Sequence, residues 1–335
     1  MDKIALITEN AFIYWSPILL AISGLAAALI YLSVYVGKGG KFTSAFLSIP
    51  LSAVLGIYIG RIVHWYCRTG SYESFHAAIS NLSSGDFALV GMFVSCVIVA
   101  CVLRLIRITD NLPKMLDAMS IGGCIGISVG RLASLFNDTS RGMLLPETVG
   151  FPVSYPLINP VTGESENRLA TFMFQSGSTA LIAVCLLLFM LIQFLRKHKI
   201  KDGDIFYLFL GAYSISQIVC DSTRYDALVF RSNGFVSMVQ ILGLIALLFI
   251  TVLFSVRLIK AKGFKAWYIA FWVGIAGMLG LAGYMEYFVQ NNGTKALFAY
   301  SVMTGALLIL YCILLVIRML SNTKINIVAE EPVAA

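Results

Sequence analysis

The chain has 335 residues, of which 59% are hydrophobic and only 12% are charged, and its mean hydropathy is +0.87. This composition excludes an ordinary soluble domain, in which about a quarter of the residues carry charge. Apolar runs of about 18 residues or more recur, and each is long enough to cross roughly 30 Å of hydrocarbon as a helix. The sequence therefore predicts an all-α polytopic membrane protein.

About nine transmembrane helices are predicted, and the first apolar run counts as a span because no basic n-region precedes it. We place the spans at 12–36, 42–60, 87–106, 112–130, 171–195, 205–219, 235–256, 267–288 and 296–319. We expect a seven-helix membrane domain over residues 1–256, two additional transmembrane helices over residues 257–320, and a cytoplasmic tail over residues 321–335.

Basic residues give the orientation of the predicted spans. Most of the 24 Lys and Arg residues lie in the loops after spans 1, 3, 5 and 7 and in the C-terminal tail. The positive-inside rule therefore places the N-terminus outside and the C-terminus inside. The net charge of +7 is explained by topology and by anionic lipid, so it implies no nucleic-acid partner.

The seven cysteines have neither a CxxC pattern nor a Cys/His spacing typical of metal sites. We therefore expect no metal and no cofactor, and we interpret the cysteines as small buried hydrophobic residues.

Glycine rows predict close helix packing, because small residues let neighbouring helices in a membrane approach one another. The rows are Gly122, Gly126 and Gly130 in span 4, and Gly274, Gly277, Gly280 and Gly283 in span 8. The sequence leaves open whether spans 8 and 9 pack against the first seven helices or against another subunit.

Polar and charged side chains are costly near a membrane and therefore mark candidate functional positions. Those at or near the predicted outer ends of spans 2 to 6 are Arg61, His64, Asp86, Arg131, Asn137, Asp138, Gln175, Tyr213, Gln217, Asp221 and Arg224. Two or three converging arginines suit a phosphate, because guanidinium binds phosphate bidentately. This pattern indicates a site for an anionic phospholipid headgroup. The alternative for Arg61 and Arg131 is that they only extend to the membrane interface.

The stretch GRLASLFNDTSRG, residues 130–142, resembles the G-R-[IL]-G-N-F-x-N-G-E signature of the prolipoprotein diacylglyceryl transferase family. Gly130, Arg131 and Asn137 match that signature, whereas Ser134 replaces an asparagine. The segment YIGRIVHWY is similar to the family's G-x-R-x-x-Y segment, with His64 where a tyrosine is usual.

A second block, GDIFYLFLGAYSISQIVCDSTR, resembles the family's G-x-x-F…Y-G-x-x-R-x-x-x-E-x-x-R pattern. Tyr213 and Arg224 match, Gln217 replaces an arginine and Asp221 replaces a glutamate. Elsewhere, Asp86 stands where the family has a histidine proposed as catalytic, and Phe174-Gln175 replaces a Tyr-Glu pair.

The resemblance implies a seven-span, N-outside enzyme of the bacterial inner membrane. Such an enzyme moves diacylglyceryl from phosphatidylglycerol to the lipobox cysteine, which the signal peptide of a prolipoprotein presents. The implied catalytic residues are His64, Asp86 and Arg131, and the implied substrate-binding residues are Arg61, Asn137, Tyr213, Gln217 and Arg224. His64 or Asp86 would take the thiol proton. We expect Arg168 or Arg141 to offset the missing arginine at position 217.

Two other functions stay open at this point. A relative without turnover would keep the lipid site and present phospholipid or lipoprotein to a partner, as the replaced family residues suggest. A channel or transporter would carry polar residues through the full depth of the bilayer. The polar residues here collect at one face, which disfavours a channel or transporter.

Overall fold

The computed structural model describes residues 3–8, 11–81, 87–109, 111–159, 162–197, 200–230 and 233–328. Its α-helices are α1 (Trp15–Gly37), α2 (Phe42–Cys67), α3 (Phe75–Ser80), α4 (Leu89–Leu105), α5 (Leu112–Arg131), α6 (Thr171–Leu195), α7 (Asp204–Ser222), α8 (Met238–Lys262), α9 (Ile269–Asn291) and α10 (Ala296–Val328).

Within these described residues, eight helices are long and apolar enough to cross a membrane. The helix α4 matches the third predicted span but is a shorter apolar helix of 17 residues. The all-α polytopic prediction is confirmed. Helix α7 continues past the predicted end at 219 as far as Ser222, and this places Asp221 on the helix.

Short antiparallel hairpins form at the predicted outer end of the helix bundle. Strands β1 (Ile4–Thr8) and β2 (Ala11–Tyr14) precede α1, and β5 (Val229–Phe230) and β6 (Asn233–Ser237) join α7 to α8. Between α5 and α6, β3 (Ser154–Ile158) pairs with β4 (Ser165–Leu169) over five residue pairs. These hairpins therefore pair part of the backbone N–H and C=O groups of the segments that connect the helices on the outer side.

Three apolar clusters hold the helices together. One joins α1, α2, α4 and α5, a second joins α5, α6 and α7, and a third joins α7, α8, α9 and α10. Buried residues of the third cluster include Leu247, Phe254, Ile275, Met303 and Leu310. The two C-terminal helices α9 and α10 therefore pack against α7 and α8 of the same chain.

The glycine row of α5 packs against α1 as predicted. A Cβ atom on Gly122 would lie 2.5 Å from the carbonyl oxygen of Ala27, and a Cβ on Gly126 would lie 2.7 Å from the Ala27 Cβ. Both distances are shorter than a side chain tolerates, so these positions require glycine. The row confirms close approach of α1 and α5.

Most of the glycine row in α9 does not pack against a described helix of this chain. Gly274 lies near Ile313 of α10, but a Cβ on Gly277, Gly280 or Gly283 would meet no atom of the described residues within 4 Å. The reason is that α9 turns its other face, which carries the buried residues Ile275, Ala282 and Met285, toward its neighbours.

We expect Gly122→Ala to destabilise the protein by about 2 kcal/mol, because its methyl group would overlap the α1 backbone and force the two helices apart. The matched control is Gly123→Ala, one residue along the same helix, where a Cβ would meet nothing within 4 Å of the described residues. The measurement is the midpoint of thermal unfolding of both variants in detergent. Equal midpoints for the two variants would contradict the close approach of α1 and α5.

Candidate functional site

Arg131 is the last residue of α5 and lies within a group of polar side chains from α7 and the 136–142 loop. Its Nη1 donates a 3.1 Å hydrogen bond to the Ser140 Oγ, and its guanidinium interacts with the Tyr213 hydroxyl. The Arg131 Nε is buried and has no hydrogen-bond acceptor among the described residues. A buried donor of this kind requires a partner, which a bound ligand or a water molecule can supply.

The 136–142 loop folds back over the end of α5 and is held at Ser140. The Ser140 N–H donates to Asp226 Oδ2 at 2.9 Å, and its carbonyl accepts from the Phe172 N–H at 3.2 Å. Its φ angle of 57° lies in the left-handed region, which a serine rarely occupies without such contacts. The loop thereby presents the Ser140 hydroxyl to Arg131.

Arg224 follows the end of α7 and is paired with two carboxylates. Its Nη1 bonds Asp221 Oδ1 at 3.1 Å, and its Nε and Nη2 bond the two oxygens of Asp226 at 2.9 and 3.0 Å. Burial lowers the pKa of Arg224, but Asp226 and Asp221 raise it more, and the net shift is upward. Burial also raises the pKa of Asp226, yet Arg224 lowers it further. Both groups therefore stay charged and bound to each other.

Asp221 keeps one oxygen available within this group. Its Oδ1 accepts from Arg224, whereas its Oδ2 is buried and accepts no hydrogen bond from the described part of the chain. Arg131 interacts electrostatically with Asp221 and is repelled by Arg224. The Arg131 guanidinium and the Asp221 carboxylate thus lie together near the outer end of the bundle, and each has one atom without a partner among the described residues.

A pair of amides joins α6 to α7 beside this group. Gln175 Nε2 donates to Gln217 Oε1 at 3.0 Å, and both side chains are buried. Gln217 lies one helical turn from both Tyr213 and Asp221, so the three share a face of α7. The Gln175 Oε1 is a further buried acceptor without a donor among the described residues.

Arg61 and His64 form a separate group on α2. Arg61 is 1% exposed and donates to the carbonyls of Ala78 and Asn81 at 2.8 and 2.6 Å, and its guanidinium lies over the Tyr72 ring. The Tyr72 hydroxyl also bonds the His64 Nδ1 at 2.7 Å. These contacts hold residues 68–81, which include α3, against α2. No hydrogen bond among the described residues joins this group to Arg131.

Two predicted site residues remain, Asn137 and Asp86, and the structure describes only Asn137. The Asn137 Nδ2 donates to Ser16 Oγ at 2.9 Å, and its Oδ1 accepts from the Thr139 N–H and hydroxyl. The Asn137 amide therefore ties its loop to the start of α1. Asp86 lies outside the described residues, in the gap 82–86.

Neither arginine expected to replace the one at position 217 donates a described hydrogen bond to Gln217. Arg168 is paired with Glu166 at 2.6 Å. Arg141 is 1% exposed and lies between the rings of Tyr155 and Phe172, 4.5 and 4.6 Å from their centroids. Its Nη2 donates to the carbonyls of Ser134 and Asn137 at 2.8 and 2.9 Å. Arg141 therefore supports the loop that carries Ser140.

Sequence reasoning missed Ser140 and Asp226, which connect Arg131 to Arg224. Asp226 comes two residues after Arg224, and an acid at that short spacing is a signal that could have shown the arginine to be paired. Ser140 carries no comparable signal, because its role depends on the fold of the loop.

We expect Gln175→Glu and Gln217→Arg to be coupled. Each single change replaces one amide of this buried hydrogen-bonded pair by a charge whose partner at the other position is missing, which costs about 3 kcal/mol, whereas the double change forms an ion pair across α6 and α7. The measurement is the thermal unfolding midpoint of both single variants and of the double variant. A double variant as unstable as the sum of the two single effects would contradict the contact between positions 175 and 217.

Comparison with known proteins reveals the family. The family model for prolipoprotein diacylglyceryl transferase matches residues 4–256. A phosphatidylglycerol–prolipoprotein diacylglyceryl transferase of Clostridium botulinum (strain Langeland) is 23% identical over 254 residues, covering 74% of this chain and 95% of that protein. Proteins of the same name from Clostridioides difficile (strain 630) and Bacillus licheniformis are 23% and 21% identical, covering 73% and 76% of this chain and 92% and 91% of their own lengths. The chain belongs to the prolipoprotein diacylglyceryl transferase family.

Proposed function

We propose that this protein transfers diacylglyceryl from phosphatidylglycerol to the lipobox cysteine thiol of a prolipoprotein, whose signal peptide presents that cysteine. Family membership and the names of the relatives support this activity. The protein acts in the bacterial cytoplasmic membrane, at the outer leaflet, with its N-terminus outside. No nucleic acid takes part. The division into a domain of seven helices, two additional helices and a cytoplasmic tail remains a prediction.

The observation that carries the proposal is the buried Arg131 Nε, which has no acceptor within the part of the chain that the structure describes. In this proposal the Arg131 guanidinium binds the phosphodiester of the lipid. Tyr213 donates a second, neutral hydrogen bond, because its hydroxyl already lies beside Arg131. Positive charge placed in a dry site stabilises the negative charge that develops on the leaving phosphate. Arg224 holds Asp221 and Asp226 in place through its own donors, and these two carboxylates offset its positive charge.

The chemical step is a displacement at carbon. The thiol loses its proton to a base, the sulfur forms a bond to the diacylglyceryl carbon, and the carbon–oxygen bond to phosphate breaks, releasing glycerol phosphate. A thiol with an ordinary pKa of about 8.5 needs such a base near neutral pH. His64 and Asp86 remain the proposed bases. The His64 Nδ1 is bonded to the Tyr72 hydroxyl, and this contact orients the ring.

The second candidate function is lipid binding without turnover. The neutral Gln175–Gln217 pair favours it, because the family signature carries charged residues at both positions. Such a protein would still bind phosphatidylglycerol through Arg131 and would present the lipid or a lipoprotein to a partner.

We expect purified protein to add the mass of diacylglyceryl to a lipobox-cysteine peptide when phosphatidylglycerol is present, as followed by mass spectrometry. Arg131→Ala should lower the rate at least about 100-fold, because it removes a charged hydrogen-bond donor from a buried site. Lys295→Gln is the control, a basic residue at the same end of the bundle, and should keep the rate within about three-fold, because the Lys295 side chain is exposed.

One outcome would contradict the proposed transfer, and another would contradict the role of Arg131. No mass gain with wild-type protein, together with phosphatidylglycerol binding that Arg131→Ala abolishes, would establish the binding function instead. A rate unaffected by Arg131→Ala would remove Arg131 from the site.

A further inference from the structure

Helices α9 and α10 both hold the outer end of α7, α9 through a buried carboxylate and α10 through a tyrosine hydroxyl. Glu286 of α9 is 8% exposed, and its Oε2 accepts hydrogen bonds from Ser222 Oγ at 2.5 Å and from Gln240 Nε2 at 3.1 Å. The Tyr300 hydroxyl of α10 donates to the Ser222 carbonyl at 3.2 Å. Ser222 is the last residue of α7 and directly follows Asp221. Three helices therefore converge on the turn that carries Asp221.

The inner end of α7 is also held by polar contacts, from α8 and α10. Asp204, the first residue of α7, is fully buried and accepts from Arg257 Nη1 of α8 and Arg318 Nη2 of α10, each at 2.7 Å. The Tyr311 hydroxyl of α10 donates to the Leu208 carbonyl at 3.0 Å. Helix α7 is thus fixed at both ends, and the candidate site residues Tyr213 and Gln217 lie between the fixed points.

Glu286 contributes hydrogen bonds as well as packing. A carboxylate buried in a membrane protein is costly, and an apolar side chain could supply the packing alone. Here the carboxylate receives donors from the last turn of α7 and the first turn of α8, so it sets where both helix ends lie. An acceptor oxygen that receives donors from two helix ends restricts both ends to a narrower range of positions than apolar contact would, because hydrogen bonds depend on distance and angle.

We propose that Glu286 is a positioning residue for the outer-end site. Through Ser222 it fixes the last turn of α7, and this turn aims the Asp221 carboxylate at Arg224 and leaves Arg131 available for the lipid phosphate. Helices α9 and α10, which follow the residues that the family model matches, therefore support the candidate site. The effect on turnover rests on the proposed function, whereas the effect on the last turn of α7 does not.

The test uses the full chain in lipid nanodiscs containing phosphatidylglycerol. The variants are Glu286→Ala, Glu286→Gln and the control Tyr284→Ala, whose side chain is 57% exposed on the same helix. Hydrogen exchange of the backbone amides of residues 218–226 should rise about ten-fold in Glu286→Ala, because that turn opens more often. Glu286→Gln keeps an oxygen acceptor for the Ser222 hydroxyl and should restore near wild-type exchange. Tyr284→Ala should leave exchange unchanged.

Transfer kinetics give the readout that loss of packing alone would not produce. We expect kcat to fall about ten-fold in Glu286→Ala while KM for phosphatidylglycerol changes less than about two-fold, because Arg131 still binds the phosphate. Unchanged exchange and kcat in Glu286→Ala would overturn the proposal, and so would an equal defect in Glu286→Gln. If Glu286→Ala does not fold, Ser222→Ala removes the donor alone and should show the same effects in weaker form.

The experiment separates failure of this inference from failure of the proposed function. If wild-type protein makes no product, the transfer activity is wrong, and the exchange of residues 218–226 alone decides whether Glu286 fixes the end of α7.

Discussion

The outer end of this protein depends on the loop that follows α5 being folded back over the last turn of that helix. Ser140 is the fixed point, because its N–H bonds Asp226, its carbonyl bonds the start of α6, and its hydroxyl accepts from Arg131. One residue therefore links α5, α6 and the segment after α7. Arg141 supports the same loop from the other side, between two aromatic rings. Without this loop, Arg131 would be another arginine at the end of a membrane helix.

Charge compensation explains why only some arginines of this region can serve a ligand. Arg224 is bonded to Asp221 and Asp226, Arg168 to Glu166, and Arg61 to backbone carbonyls. An arginine engaged in this way stabilises the fold and contributes charge, but it has fewer donors to offer. Arg131 differs from these three because its Nε is buried without an acceptor among the described residues, next to the Tyr213 hydroxyl and the Asp221 carboxylate. Arg141 also has unpaired buried donors, but its guanidinium lies between two aromatic rings. The same low dielectric that makes an unpaired donor costly makes it effective toward a phosphate.

The apolar runs predicted the helices well, since a run of about 20 apolar residues in lipid has few alternatives to a helix. The glycine row of α5 was also readable, because regular four-residue spacing places its members on one face. The similar row of α9 meets no described helix of this chain over most of its length, since spacing predicts which residues share a face but not which neighbour that face contacts. The clustering of polar residues toward the outer side was visible, but their pairing was not. Arg61 bonds carbonyls 17 and 20 residues away, and the Arg131–Ser140 contact requires the folded loop.

The central claim is that the Arg131 guanidinium binds the phosphate of phosphatidylglycerol at the outer end of the bundle. The most direct measurement is an electron cryo-microscopy structure of the protein in nanodiscs rich in this lipid. The account predicts headgroup density with a phosphate oxygen about 3 Å from the Arg131 Nε, next to the Tyr213 hydroxyl. A headgroup bound elsewhere, with the Arg131 Nε bonded to a protein carbonyl or carboxylate, would contradict it.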